Sequence, residues 1–433
     1  MFKGITFVSF KNNLARNNNL LAILLSCILI LIPLKFLFSN IALIFFIVFI
    51  FYHKNGFILK FDFNLFIPIL FYLVMVFSLF WTSNQNLTVN GLFKELPFLI
   101  LPYSFMFCSE INSKFKLQTL RNYSFGMVAY AILCLLKASV RFIETNNKDV
   151  FLFHELVSLD VNAVYIAYFA SFCLFYFIRL ETKQFADLVS IYVLSVFVLL
   201  LASKTIIFID ICMLTWFYIK FSYTNNSVKF VTITMAGTFL FLSILYVQPL
   251  RQRLLAEYET AFVDNTINSA FGTQKNKVYN VSLKQAWLNK DFYSNDFIPG
   301  TALRVFHLRI FKELYSNNKG FFTGYGHDAS QALIKNKYKE YKIFSNFTYF
   351  NFHNQFIQTF AELGFVGLFL LIAMFFINFR NAYINNDFLH TVFAFSTLIL
   401  FLTESILIRQ RGILFFVVLY CIFNAKNKNF IQT

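Results

Sequence analysis

Four short stretches of this 433-residue chain carry residue types that could do chemistry together. In NFHNQFIQTFAELGFVGLFLLIAMFF (351–376), His353 and Asn354 stand at the head of a long apolar run that also holds Glu362. A half-solvated imidazole can accept a proton near neutral pH, and a carboxylate in an apolar run needs a partner. In TALRVFHLRIFKELYS (301–316), Arg304 and His307 lie three apart and share a helical face with Phe311, while Arg309 faces elsewhere. In LLLASKTIIFIDICML (199–214), Lys204 sits between two apolar runs and Asp210 lies deeper. In FLTESILIRQRGILFFVV (401–418), Glu404, Arg409 and Arg411 fall between two more.

Each stretch alone has a bland reading: a solvated basic face, a lysine snorkelling to headgroups, an interfacial histidine, a local ion-pair turn. Together, Lys204, Arg304, Arg409, Arg411 and His353 suit an anionic group such as a diphosphate, because guanidinium forks bind phosphate oxygens in pairs. The GYG at 324–326 lacks the strand and third glycine of a dinucleotide fingerprint and reads as a turn.

Elements must hold these residues, and the composition says which kind. The chain is 58% hydrophobic and only 13% charged, with a mean hydropathy of +0.62, outside the range of soluble domains. It reads as an all-α polytopic membrane protein. Apolar segments fall at 20–38, 40–52, 63–81, 96–108, 122–143, 160–180, 187–203, 205–221, 229–247, 353–379, 388–403 and 406–424, about twelve transmembrane helices. The basic N-terminus lacks a small-x-small cleavage site and reads as leading into an uncleaved first helix. The six cysteines show no CxxC spacing, so neither a disulfide framework nor a zinc site is indicated.

With the N-terminus inside, the short inner loops hold most of the Lys and Arg, among them Lys3, Lys11, Arg16, Lys114, Lys116, Arg121 and Arg179. The short outer loops hold Lys35, Lys94, Lys148, Lys204, Arg409 and Arg411. This bias accounts for much of the net charge of +16 without a nucleic-acid partner. The chain then divides into transmembrane helices in 1–247, a large outer loop over 248–352, and further transmembrane helices with an inner tail in 353–433. Helical spacing in the loop covers RQRLLAEYETAF, NKVYNVSLKQAWLN, TALRVFHLRIFKELYS and DASQALIKNKYKEYKIF, with Asp328 as an N-cap and NNKG as a stop after Ser316. A compact helical cap is expected.

FHNQFIQTFAELGFVGLFLLI resembles the His-Asn and Glu-x-Gly-x-x-Gly pattern that opens the helix after the large periplasmic loop in the O-antigen ligase and O-antigen polymerase family. LLLASKTIIFIDI is similar to that family's Ser-Arg motif, ALRVFHLRIFKEL with GFFTGYG to its arginine helix before a Gly-x-Gly turn, and LTESILIRQRGILFF to its late Glu-Ser segment. The likeness spans roughly 185–424. The chain departs from the family at Lys204, where the family has arginine, and at Leu308, a frequent tryptophan.

The resemblance implies a C-type membrane glycosyltransferase in the bacterial inner (cytoplasmic) membrane, multi-pass, with a periplasmic cap and its active site on the periplasmic side. Its donor would be an undecaprenyl-diphosphate-linked glycan and its acceptor a lipid A-core or another glycan, without metal or cofactor. By motif, His353 and Arg304 take the catalytic roles of proton acceptor and loop arginine. Lys204, His307, Asn354, Glu404, Arg409 and Arg411 line the substrate. The expected reaction inverts the anomeric carbon, and no DxD-like acidic pair stands in the outer loop. A polymerase joining repeat units on the lipid carrier, and a flippase for lipid-linked glycan, are the alternatives. The flippase would place its charges near mid-membrane rather than at the outer mouth.

Overall fold

A chain this apolar can bury its backbone only by pairing N–H and C=O groups internally, which a helix does within itself. The computed structural model describes residues 19–52, 61–107, 113–157, 161–221, 248–268, 277–316, 320–343 and 350–426. It is 77% helical, with a minor sheet. In chain order come α1 (Asn19–Leu31), α2 (Phe36–Tyr52), α3 (Phe63–Phe77), α4 (Gln85–Glu95), α5 (Pro97–Phe107), α6 (Ser113–Thr145), α7 (Phe153–Leu156), α8 (Ala163–Ile178), α9 (Phe185–Leu200) and α10 (Lys204–Lys220). The loop region adds α11 (Gln248–Phe262), α12 (Leu283–Leu288), α13 (Gly300–Leu314) and α14 (Ser330–Glu340). Last come α15 (Gln355–Ile384), α16 (Phe388–Thr403) and α17 (Gln410–Asn424).

Every expected apolar segment within the described residues carries a helix; 229–247 lies outside them. Three helical stretches, Phe63–Phe80, Ser113–Thr145 and Gln355–Ile384, are long and apolar enough to cross a membrane. At 1.5 Å per residue the 33-residue α6 reaches about 50 Å, whereas the 16-residue α8, α9 and α16 reach about 24 Å, short of a hydrocarbon core of about 30 Å. α6 begins nine residues before the expected 122, because the polar turn SKFKLQTLRN is made of good helix formers. Its Lys116 also pairs with Asp387 Oδ2 at 2.5 Å and lies 4.2 Å from the centre of the Phe423 ring.

The core centres on α8 and α17, whose residues are buried on every side from Tyr165 to Phe177 and from Gly412 to Asn424. The Phe415 ring ties them together, meeting Tyr168, Phe169 and Phe172 of α8 and Tyr123 of α6. α15 packs against α3, α16 and α17.

The loop region has its own apolar cluster, including Phe292, Phe306, Ile310, Ile334, Tyr338 and Phe352. Two expectations fail here. The segment before Ser282 is not helical: Tyr279–Asn280 is the central strand of a small sheet, antiparallel to Thr266–Ile267 and parallel to Asp296–Phe297. Ser282 then starts α12 through a capping box with Gln285. Asp328 caps no helix, because it is turned away at φ 56° to pair with Lys94, and α14 starts after Ala329. Of NNKG, residues 317–319 lie outside the described set, and α13 ends at Leu314.

The GYG turn does more than reverse the chain. α15 is broken at Gly364, φ 64°, ψ −158°, which frees backbone groups on both sides. Residues 321–326 run beside the break and take them up: Phe365 N–H donates to the Phe321 carbonyl at 2.8 Å, and Tyr325 and Gly326 N–H donate to the Ala361 and Glu362 carbonyls at 2.9 Å each. The approach leaves no room for side chains, since a Cβ at Gly364 would lie 2.3 Å from the Phe322 carbonyl carbon.

A candidate active site centred on Glu404

At one end of the bundle the α16–α17 turn, the start of α15 and the loop helix α13 meet. Asn351 accepts the His353 N–H at 2.8 Å and holds His353 at φ 50°, a left-handed conformation that a side chain this size adopts only when its surroundings enforce it. Asn354 follows as the N-cap of α15, its Oδ1 accepting Ile357 N–H at 3.0 Å. Its Nδ2 donates to the Leu402 carbonyl at 3.0 Å and its N–H to Ser405 Oγ at 3.1 Å. The Asn354 side chain therefore caps α15 with its Oδ1 and, with the backbone N–H, ties the start of α15 to the α16–α17 turn through its Nδ2, next to His353 and Glu404.

Glu404 is the hub. Its Oε2 lies 3.4 Å from His353 Nδ1 and its Oε1 2.8 Å from Arg304 Nη2. Arg304 Nε also donates to the Thr403 carbonyl at 3.0 Å, so the guanidinium is docked on the end of α16 while its outer edge stays exposed. Burial alone would raise the Glu404 carboxyl; His353 and Arg304 outweigh it and hold it below the usual carboxylate range. An ionised Glu404 can only accept, so it selects the tautomer of His353 with hydrogen on Nδ1 and leaves the Nε2 lone pair as a base.

His307 takes a different place from the one expected. It is buried, with its ring stacked on His353 at 5.5 Å and 9° and its Nε2 2.8 Å from the Tyr338 hydroxyl. Burial first, then the charge of Arg304 and the His353 ring, push its pKa well below the ordinary histidine range. It is a neutral support behind His353 rather than a substrate contact. Arg309 faces away as expected, bonding Glu313, the Asn289 carbonyl and Tyr341.

Lys204 reaches the same region through a residue that the sequence did not mark. It pairs with Glu257 of α11, whose Oε1 accepts from Thr301 Oγ1 at 2.9 Å, one turn before Arg304. Both partners are half-exposed, so this pair holds little energy and can exchange for another anion. Arg409 lies exposed at the N-cap of α17, five residues after Glu404. Arg411 does not join the group: its Nη2 donates to the Leu34 carbonyl at 2.6 Å, after α1.

A second cluster, also unmarked in sequence apart from Glu362, lies beneath. His327 sits between Glu362 (Nδ1 to Oε2 3.3 Å) and Glu95 (Nε2 to Oε1 4.0 Å), and Glu362 Oε1 accepts from Ser330 at 2.8 Å and Gln358 at 2.5 Å. The carboxylate in the apolar run is thus paired, by the residue that follows the GYG turn. Burial would lower His327, but Glu362, Asp328 and Glu95 reverse that and raise it to about 9. Burial lifts Glu95 to about 8 against the pull of His327 and Lys94. Asp210 is likewise partnered, by Ser171 Oγ. Comparison with known families finds no family model that matches this chain, and no curated protein matches it either.

Proposed function

We propose that the chain is a multi-pass membrane glycosyltransferase of about twelve spans, O-antigen ligase-like, that moves a glycan from undecaprenyl diphosphate to a lipid A-core acceptor at the periplasmic face of the bacterial inner membrane. The observation that carries this reading is the single carboxylate, Glu404, bonded on one side to His353 and on the other to Arg304. A base and a phosphate-binding cation are thereby held at a fixed separation. The charge pattern supports the sidedness. Lys116 and Arg179, assigned to the inner side, meet Asp387 at the start of α16, and the Glu404 group sits at its other end.

In this reading the exposed edge of Arg304 and Lys204, released from Glu257, bind the diphosphate. His353 Nε2 takes the proton of the acceptor hydroxyl as its oxygen attacks the anomeric carbon from the face opposite the diphosphate. The bond to the diphosphate oxygen breaks with its electron pair, and the cations stabilise the charge that develops there. The anomeric carbon inverts. Glu404 keeps the imidazole aimed and stabilises the imidazolium once formed. The chemistry uses only these side chains and no metal.

Deletion of the gene followed by electrophoresis of the lipopolysaccharide tests the reading. Bare core with long chains left on the carrier is expected. A ladder reduced to core plus one repeat would instead assign the polymerase, and an unchanged ladder would remove both.

A further inference from the structure

Arg411, drawn away from the Glu404 group, leads to a groove of about 910 Å³ between the α1–α2 turn, α6 and α7. Four cations line it, Lys35, Lys137, Arg141 and Arg411, against one carboxylate, Glu155. Arg141 is fixed to Glu155 at 3.3 Å and to the Val150 carbonyl at 3.4 Å, and Arg411 to the Leu34 carbonyl. The side chains of Lys35 and Lys137 are exposed and make no ion pair or hydrogen bond among the described residues.

Lys137 and Arg141 are four apart on α6, and Glu155 answers only Arg141, which leaves the charge of Lys137 without an ion-pair partner among the described residues. Beside the cations the wall is apolar and open, formed by Phe38, Leu133, Leu136 and Val140. Excess positive charge over an apolar slot matches an amphiphile with an anionic head. We propose that this groove holds an anionic glycerophospholipid, its phosphate among Lys35, Lys137 and Arg411 and its acyl chains along Leu133, Leu136 and Val140. The site is independent of the transfer reaction.

The test is native mass spectrometry of the full chain in neutral detergent after incubation with phosphatidylglycerol or phosphatidylcholine. Phosphatidylglycerol should be retained preferentially. The preference should fall roughly fivefold for each lysine removed in Lys137→Gln and in Lys35→Gln/Lys137→Gln, and return in Lys35→Arg/Lys137→Arg. Both lysines are exposed, so the variants should keep the wild-type melting temperature. Equal retention of the two lipids, or an unchanged preference in the glutamine variants, overturns the proposal. So does displacement of phosphatidylglycerol by a polyprenyl diphosphate, which would give the groove to the donor.

Discussion

Replacing Glu404 with glutamine keeps the shape of the hub and removes its charge. The bond from Arg304 is 2.8 Å and largely shielded on the Glu404 side, while that to His353 is longer, at 3.4 Å. Hydrogen bonds to charged groups contribute about 1.5–3 kcal/mol, and the long bond to His353, the one that aims the imidazole, calls for the low end. A loss of about 1.5–2 kcal/mol of transition-state stabilisation corresponds to roughly a 10- to 30-fold lower transfer rate. Because the amide can also donate, it no longer selects the His353 tautomer, so kcat should carry the loss. The donor KM should stay level or fall, since Arg304 is freed for the diphosphate. Membranes supplied with a defined lipid-linked donor and acceptor provide the assay. A raised KM with unchanged kcat, or wild-type transfer, would refute the idea that Glu404 aims the imidazole.

Arg304→Lys should reduce transfer far more than Lys204→Arg, because a lysine cannot reproduce the contacts to Glu404, the Thr403 carbonyl and, at 3.4 Å, the Gly300 carbonyl; equal tolerance in the same assay would contradict this. Gly364→Ala should destabilise the chain by several kcal/mol, through its positive φ and its clash with Phe322, while Gly300→Ala, whose nearest atom is 3.9 Å away, should be neutral. Thermal unfolding in detergent separates the two, and similar melting temperatures would count against the close approach. Stability should also decline as pH rises from about 4.5 to about 9, through Glu95 between 4.5 and about 8 and through His327 between 6.5 and about 9. Folded His327 keeps its proton to about 9 and the unfolded side chain releases it near 6.5, so the native state binds more protons across that window. His327→Gln should remove the His327 part of the decline and leave that of Glu95, and a wild-type profile that rises with pH would reverse the sign argued here.

The helices were legible because apolar runs of this length leave the backbone little choice, and α3, α8 and α16 begin within three residues of their expected starts. The parts that were not legible depend on partners distant in sequence. Asp328 follows a glycine turn and precedes a helical pattern, which reads as a cap, yet Lys94 of α4 takes it. NKVYNV has helical spacing, but Tyr279–Asn280 within it forms a strand, because two other short segments of the loop supply the ladder. Of the expected site residues, the structure brings His353, Arg304 and Glu404 into contact, moves His307 and Asn354 behind them as supports, and sends Arg411 elsewhere. Glu257 gave no signal, since a glutamate on an exposed helix face is ordinary until its partner Lys204 is placed beside it.

The central claim is that His353 removes the proton of the acceptor while the Arg304 side holds the diphosphate. Single-turnover transfer by purified His353→Ala, with donor binding measured in the same preparation, tests it most directly. Donor should bind as to the wild type and no glycan should be transferred; transfer at the wild-type rate would exclude His353 as the base.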